Sequence, residues 1–331
     1  MNPETRDLLA YLSRQPHQPF APQGRIDSRR YLAREFPTDL PLLLSLQEYP
    51  GYRRIVGENW MHWHDYYELF VALSGQGEFR CGNDRLSFGS GDVVVVDPLK
   101  IHGVVKMESS HTALVILFHA AAVAPNGATL ERGFLSAWDR RPEKTLPRLR
   151  GEHAVAGAVH GAILNLARAW FDERASEQRA MALKFHFLEM LFHLCRGFVT
   201  GNETKDEPAT LRSQREARLR RALEYVSLHC QNSVSQPEVA RAAGMSSSRF
   251  RAFFKQTTGW RFGDYLRDLR LERAARLLRE TDESVAAIAQ MTGFADQSHL
   301  QRLFKAKYSI SPLAYRKGHP ERVEENRGAE S

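Results

Sequence analysis

The chain has 331 residues, of which 43% are apolar, so it is long enough for two or three domains with sizeable cores. Its 46 Lys and Arg against 39 Asp and Glu are unevenly placed: Arg212 to Lys317 holds 20 basic and 10 acidic residues, and the rest is slightly acidic. Cys81, Cys195 and Cys230 lie far apart without CxxC spacing, which argues against a disulfide framework or a zinc site. The start MNPETRDLLAYLSRQP carries acidic residues, and no segment approaches the roughly 20 apolar residues of a membrane span. The expectation is a cytoplasmic protein, without a membrane partner, whose basic C-terminal third meets a polyanion.

Residues 1–40 read as an N-terminal arm. Leu8 to Leu12 suit a short helix, Pro16, Pro19, Pro22 and Gly24 then break regular structure, and residues 28–36 suit a first strand. From residue 41 to 125 the signal is β. Leu42–Tyr49, Tyr66–Ser74, Gly77–Cys81, Arg85–Phe88, Asp92–Val96 and Thr112–His119 are short runs of apolar and aromatic residues, separated by turn residues such as Gly75-Gln76-Gly77 and Gly82-Asn83-Asp84. Such spacing predicts a sandwich or small barrel.

Within that region stands Gly57-x4-His62-x-His64-x3-Glu68-x6-Gly75, followed by Gly91-x6-Pro98-x3-His102. The pattern resembles the two motifs of the cupin barrel, with the first glycine spacing one residue short. His62 and His64, two apart, face the same way along a strand. The resemblance implies that Glu68 and His102 complete the ligand set of metal-binding cupins, which would suit Zn, Fe, Mn or Ni. The same four residues can instead hydrogen-bond a small molecule, or serve structure alone. They are therefore the expected ligand pocket, with metal as the less favoured occupant and no cofactor assigned. Trp60, Trp63, Tyr66, Tyr67 and Phe70 cluster in the same stretch and serve packing or line the pocket.

Residues 126–200 turn helical. Val155, Val159, Ile163, Leu166 and Trp170 recur at helical steps over 153–172, and a broader apolar face runs over 177–199. The plain reading is that both helices pack on the barrel; the broad second face can also serve a partner subunit, hence an expected homodimer. Residues 201–213 read as a linker, and 318–331, polar and without apolar periodicity, as a disordered tail.

Residues 214–317 contain a repeat. Val239-Ala240, Gly244, Phe250, Phe253-Phe254-Lys255 and Tyr265 recur as Ile288-Ala289, Gly293, Leu300, Leu303-Phe304-Lys305 and Tyr315, at offsets of 49 and then 50. Each copy fits a helix-turn-helix: a small residue where helices cross, a glycine in the turn, then an apolar i, i+3, i+4 face. The second turn is one residue longer. The opposite faces offer Ser248, Arg251 and Ala252, and Gln297, Ser298 and Arg302, as base-edge contacts in double-stranded DNA. Arg249, Lys255, Arg261, Lys305 and Lys307 are phosphate candidates, with Arg212, Arg218, Arg220, Arg221 and Lys317 behind them. A glycine-free stretch after Gly263, running to Arg279, predicts a rigid connecting helix. Two reading helices about 34 Å apart enter successive major grooves.

With Gly293-Phe294, Ser298, Phe304-Lys305, Pro312 and Tyr315-Arg316 in the second copy, and Gly259, Tyr265, Arg270, Ala274 and Leu277-Leu278 in the first, the chain resembles AraC/XylS-family transcriptional regulators. It departs at Ser309, where that family usually has glycine, and at His299, often an aromatic. The resemblance implies an α+β multidomain protein: a cupin-like barrel with a helical pair, then an all-α double helix-turn-helix. It implies an activator that senses a sugar or related metabolite and works with RNA polymerase, not an enzyme. The rival expectation is a cupin metalloenzyme with an accessory DNA-binding module.

Overall fold

Three of the apolar runs are strands buried on both faces, and their alternation divides two cores. In the computed structural model, β3 (Tyr67–Ala72), β6 (Val93–Val96) and β8 (His111–Phe118) lie side by side. Leu69, Val71, Val93, Val95, Leu114 and Ile116 point to one core, whereas Phe70, Val94, Val96, Val115 and Leu117 point to the other. A strand with period two can feed two layers only if both faces are apolar, which is why these segments read as unbroken runs.

The structure describes residues 1–19, 26, 30–32, 34–49, 61–82, 84–107, 110–123, 133–139, 147–172, 177–198, 209–229 and 234–317. They form two units, Met1–Glu216 and Ala217–Ser331. Gly57, Trp60, the 201–208 part of the expected linker and the 318–331 tail lie outside the described residues.

In the first unit β1 (Gln18–Pro19), β2 (Leu42–Tyr49), β8, β3, β6 and β9 (Arg148–Leu149) form one sheet in that order, and β5 (Asp84–Phe88), β4 (Gly77–Cys81) and β7 (His102–Met107) form the other. The second core lies between them. The first core is closed by helices: α1 (Pro3–Leu12), capped by the Asn2 side chain accepting from the Thr5 N–H at 2.7 Å, α2 (Ser136–Asp139), α3 (Ala156–Phe171) and α4 (Glu177–Phe198). Trp138 of α2 donates its indole N–H to the Val96 carbonyl at 3.0 Å, fixing α2 to the sheet. Strand β7 was not foreseen. Its opening His102-Gly103 breaks the apolar signal, yet it pairs with β4 over its length, with a register shift at Glu78/Phe79.

In the second unit the helices are α5 (Ala209–His229, of which Ala217 onward belongs here), α6 (Gln236–Ala242), α7 (Ser247–Thr258), α8 (Phe262–Glu280), α9 (Val285–Met291), α10 (Gln297–Tyr308) and α11 (Pro312–Lys317). Ala209–Ser213, expected as linker, are already the start of α5. The α6–α7 and α9–α10 pairs are the two helix-turn-helices. Ala240 and Ala289 are buried at 1% exposure, and Gly244 (φ 68°) and Gly293 (φ 75°) take the left-handed conformation. The turns close alike: the Met245 N–H donates to Ala240 O and the Phe294 N–H to Ala289 O, each at 2.9 Å. Gly293 has a second reason to be glycine, since a Cβ there would stand 3.0 Å from the Arg270 guanidinium. Asp296 caps α10, accepting from the His299 N–H at 2.7 Å.

The connecting helix α8 is continuous as expected, and Leu271, Ala274, Ala275 and Leu278 join Ile288, Ala289, Leu300 and Phe304 in the second repeat's core. Both reading helices end on a left-handed residue, Gly259 (φ 80°) after α7 and Ser309 (φ 62°) after α10. A Cβ in that region is crowded by its own backbone, whereas glycine is not. Ser309→Gly is therefore expected to stabilise the second unit by about 0.5–1 kcal/mol. A urea midpoint that stays or falls would refute this cause.

Candidate functional site

Glu68 occupies an inward position of β3, between the buried Tyr67 and Leu69, where the alternation calls for an apolar side chain. Opposite it in the sheet stand Val96 and Leu117. An ionised carboxylate in such a place is costly unless it is paired. His64, fully buried, sets its Nε2 2.9 Å from Glu68 Oε2, and His102, also fully buried, sets its Nε2 at 3.5 Å. Burial opposes the charge on Glu68, but the imidazoles of His102 and His64 outweigh it and hold the carboxyl well below its ordinary range. On His64, burial dominates and lowers the pKa.

The imidazoles are aimed by the backbone. His64 Nδ1 donates to Tyr66 O at 3.0 Å, and His102 Nδ1 to Lys100 O at 2.9 Å. Tyr66 also stacks on the His64 ring, centroids 3.9 Å apart. His62 faces His102 through reciprocal backbone bonds, His62 N to His102 O at 3.0 Å and His102 N to His62 O at 2.9 Å. Leu99 holds a left-handed φ of 69° and donates its N–H to His64 O at 2.7 Å, tying the turn before His102 to the histidine segment. One donor atom from each of His62, His64, Glu68 and His102 falls within a 4.8 Å group, and all four residues are buried.

The donor set fits a divalent transition metal. Donors around one such ion, each at about 2.1 Å, lie at most about 4.2 Å apart, so small ring rotations suffice. The Nδ1–H to carbonyl bonds are the usual outer support of metal-binding imidazoles. His102 Nε2 is buried without a hydrogen-bond partner. A cavity of about 30 Å³ adjoins Glu68, His62 and His102, walled by Leu32, Arg34, Gln47, Tyr49, Phe70 and Phe79. Of the aromatics expected near the pocket, Phe70 lines it. Trp63 packs at a tilt against Tyr31, and Tyr67 joins the helix-facing core, so those two serve packing.

The second candidate surface is the pair of reading helices. Ser248, Arg251 and Ala252 on α7, and Gln297, Ser298 and Arg302 on α10, are all exposed, while Phe250, Phe254, Leu300 and Phe304 on the opposite faces are fully buried. Arg249, Lys255, Arg261 and Lys305 are exposed as well. Lys307 is a correction. Its side chain is 7% exposed, and its ammonium lies 2.6 Å from Asp268 Oδ1 and 3.5 Å from Glu272 Oε1, both on α8. It ties α10 to the connecting helix and is not presented to a phosphate. Sequence periodicity missed this pair because Asp268 and Lys307 sit on different helices, 39 positions apart.

Residues 239–318 match the helix-turn-helix domain family and residues 56–118 the cupin domain family. The HTH-type transcriptional activator RhaS of Enterobacter sp. (strain 638) is 27% identical over 260 residues, 78% of this chain and 87% of that one. The HTH-type transcriptional activator RhaR of Mannheimia succiniciproducens is 33% identical over 134 residues, 39% of this chain and 44% of that one. Among solved structures, ToxT from Vibrio cholerae O395 covers 85% of this chain and 98% of its own, at 14% identity and a TM-score of 0.40. A cupin barrel followed by two helix-turn-helices whose outward faces are polar and basic is a DNA-reading arrangement, that of a sequence-specific transcription regulator of the AraC/XylS type.

Proposed function

We propose that this regulator is a cytoplasmic, homodimeric activator whose DNA affinity is set by an effector in the barrel. The observation that carries the DNA contact is the exposure of matching polar faces on two helices fixed by repeated glycine turns. Arg251 and Arg302 are the principal base readers, by bidentate bonding to guanine, and Gln297 suits adenine. Ser248, Ala252 and Ser298 complete the reading faces. Arg249, Lys255, Arg261 and Lys305 hold the phosphates and give salt-dependent affinity. RNA polymerase is the partner an activator requires, and the relatives named above are activators. That naming favours sensing over a metalloenzyme with an accessory DNA-binding module.

Dimerisation rests on α4, where Met181, Phe185 and Phe192 are 71%, 64% and 52% exposed. With the half-buried Leu188 they fall at steps of four, three and four, the seam of a helix pair. A second copy of α4 is the occupant that matches such a seam.

Four outcomes are expected. Arg251→Ala lowers affinity for a duplex selected by the wild-type protein by about 1–3 kcal/mol and relaxes choice at one base position. Unchanged affinity and selectivity in a gel-shift titration would remove that role. Lys305→Gln reduces the slope of log K against log salt by about 1. Lys307→Gln leaves that slope alone but destabilises the unit by about 3 kcal/mol in urea, because Asp268 is left buried without its ammonium. The reverse pattern would restore Lys307 as a phosphate contact. Phe185→Glu with Phe192→Glu yields monomer in sedimentation equilibrium; a persisting dimer would place the interface elsewhere.

A further inference from the structure

We infer that the effector of this barrel is a short monocarboxylic acid that carries a hydroxyl group, and that Arg34 selects its carboxylate. The inference rests on the proposed control of DNA binding by the barrel and names the chemical class that exerts it.

Arg34 is a cation without a counterpart. It precedes β2 and lines the same cavity as Glu68. Among the described residues it makes no hydrogen bond and no ion pair, and its Nε is buried without a partner. The residue is half-buried, so water can serve its exposed atoms but not Nε. Its charge acts on the hydroxyls of Tyr49 and Tyr66, which places it close to both rings. Glu68 is not its partner, because His64 and His102 meet that carboxylate at 2.9 and 3.5 Å. A carboxylate from outside the chain is the planar anion that can meet Nε and a terminal nitrogen of one guanidinium together.

The hydroxyl follows from the other end of the cavity. Both imidazoles of the Glu68 pairing go to Oε2, and Oε1 accepts no hydrogen bond among the described residues. A hydroxyl donates to such an oxygen without adding charge. A second carboxylate there is repelled by Glu68, which limits the ligand to one acid group. Gln47 adds a neutral donor to the wall: the Tyr49 hydroxyl donates to its Oε1 at 2.7 Å, which leaves the amide nitrogen as its donating end.

Size sets the rest. A cavity needs about 10–15 Å³ to hold one water, so about 30 Å³ is the room of two or three. Phe70 and Phe79 close it with buried rings, whereas Arg34 is a long, half-buried side chain that can yield. An acid of about two to four carbons is on that scale, and a long acyl chain is not. A neutral sugar ring is larger and brings no charge to Arg34. Bound between Arg34 before β2 and Glu68 on β3, the acid ties a segment outside the sheet to a strand at its centre. A ligand that binds only that closed arrangement stabilises it by mass action.

The test uses the full chain, treated with a chelator and dialysed so that no metal at the histidines takes part. Glycolate, lactate and glycerate are titrated by calorimetry. Beside them stand acetate and propionate, which lack the hydroxyl, glycerol and a neutral hexose, which lack the acid, tartronate, which has a second acid, and inorganic phosphate. Affinity for a duplex selected by the wild-type protein is measured with each. At least one hydroxy monoacid is expected to bind at about one per chain and to change duplex affinity by about fivefold or more. It is expected to bind about tenfold tighter than the plain acid or tartronate. Arg34→Gln weakens it by about tenfold or more, and Arg34→Lys, which keeps the charge but not the fork, by less, both with an unchanged circular dichroism spectrum. No binding by any hydroxy acid overturns the inference, as does equal binding by Arg34→Gln or phosphate binding as tight as that of the acids. A neutral hexose that shifts duplex affinity where no acid does also overturns it, and leaves control by the barrel standing. Saturation by an acid with duplex affinity unchanged within about twofold overturns that control itself.

Discussion

A carboxylate on the inward face of β3 governs the barrel. Glu68 is 5% exposed and flanked along its strand by apolar side chains that feed two cores. Removing such a charge from water costs several kcal/mol, and the cost is recovered only by partners of good geometry. The surrounding backbone supplies that geometry. Tyr66 and Lys100 carbonyls orient His64 and His102, Leu99 accepts a left-handed φ to bind His64 O, and the His62–His102 bridge brings the third ring alongside. Each of these is a local concession, a strained residue or a broken strand, made where a plain sandwich would put valine. Strain of this kind persists where the surroundings hold it in place, and it gathers at sites of function.

In the DNA-binding unit the corresponding constraint is the left-handed turn. Gly244 and Gly293 let the chain reverse so that Phe250 and Phe254, or Leu300 and Phe304, can be buried while the polar face looks out. The copies are then fixed to α8 by different chemistry. Phe254 packs on Phe262 and Tyr265, with ring centroids 5.5 and 5.4 Å apart. The second copy adds the buried Lys307–Asp268 pair. Aromatic packing tolerates small sliding, whereas a buried ion pair is intolerant of it, because its desolvation is recovered only at contact distance. The two readers are alike in outline and unequal in how rigidly they are held.

Much of this was legible in the sequence because burial on one face leaves a period. The strands β2 to β6 and β8, the helical pair α3 and α4, and the repeat with its extra turn residue all follow from spacing. What was hidden has a common cause, namely pairing across elements. Strand β7 begins with His102-Gly103 and gains its place from β4, not from its own pattern. Lys307 has the spacing of a surface lysine and is buried by a partner on α8. Ser309 looked like a departure from glycine, and its φ of 62° shows why glycine is the usual choice there. His62, His64, Glu68 and His102 were legible as a set, but the orientation of the rings depends on carbonyls whose positions only the fold provides.

These features also limit how control can work. A unit with 20 basic and 10 acidic residues between Arg212 and Lys317 holds DNA by charge at any sequence, to an extent that salt decides. An effector in the barrel leaves that attraction untouched, because it alters none of those charges. What it can change is the fraction of chains whose readers are correctly placed, and the leverage is a coupling free energy of about 1–3 kcal/mol. Such leverage suits specificity, where a single bidentate arginine contact is worth a similar amount. Under the effector control proposed above, it is therefore the affinity for selected sequences over bulk DNA that is set, while general affinity stays with the basic surface.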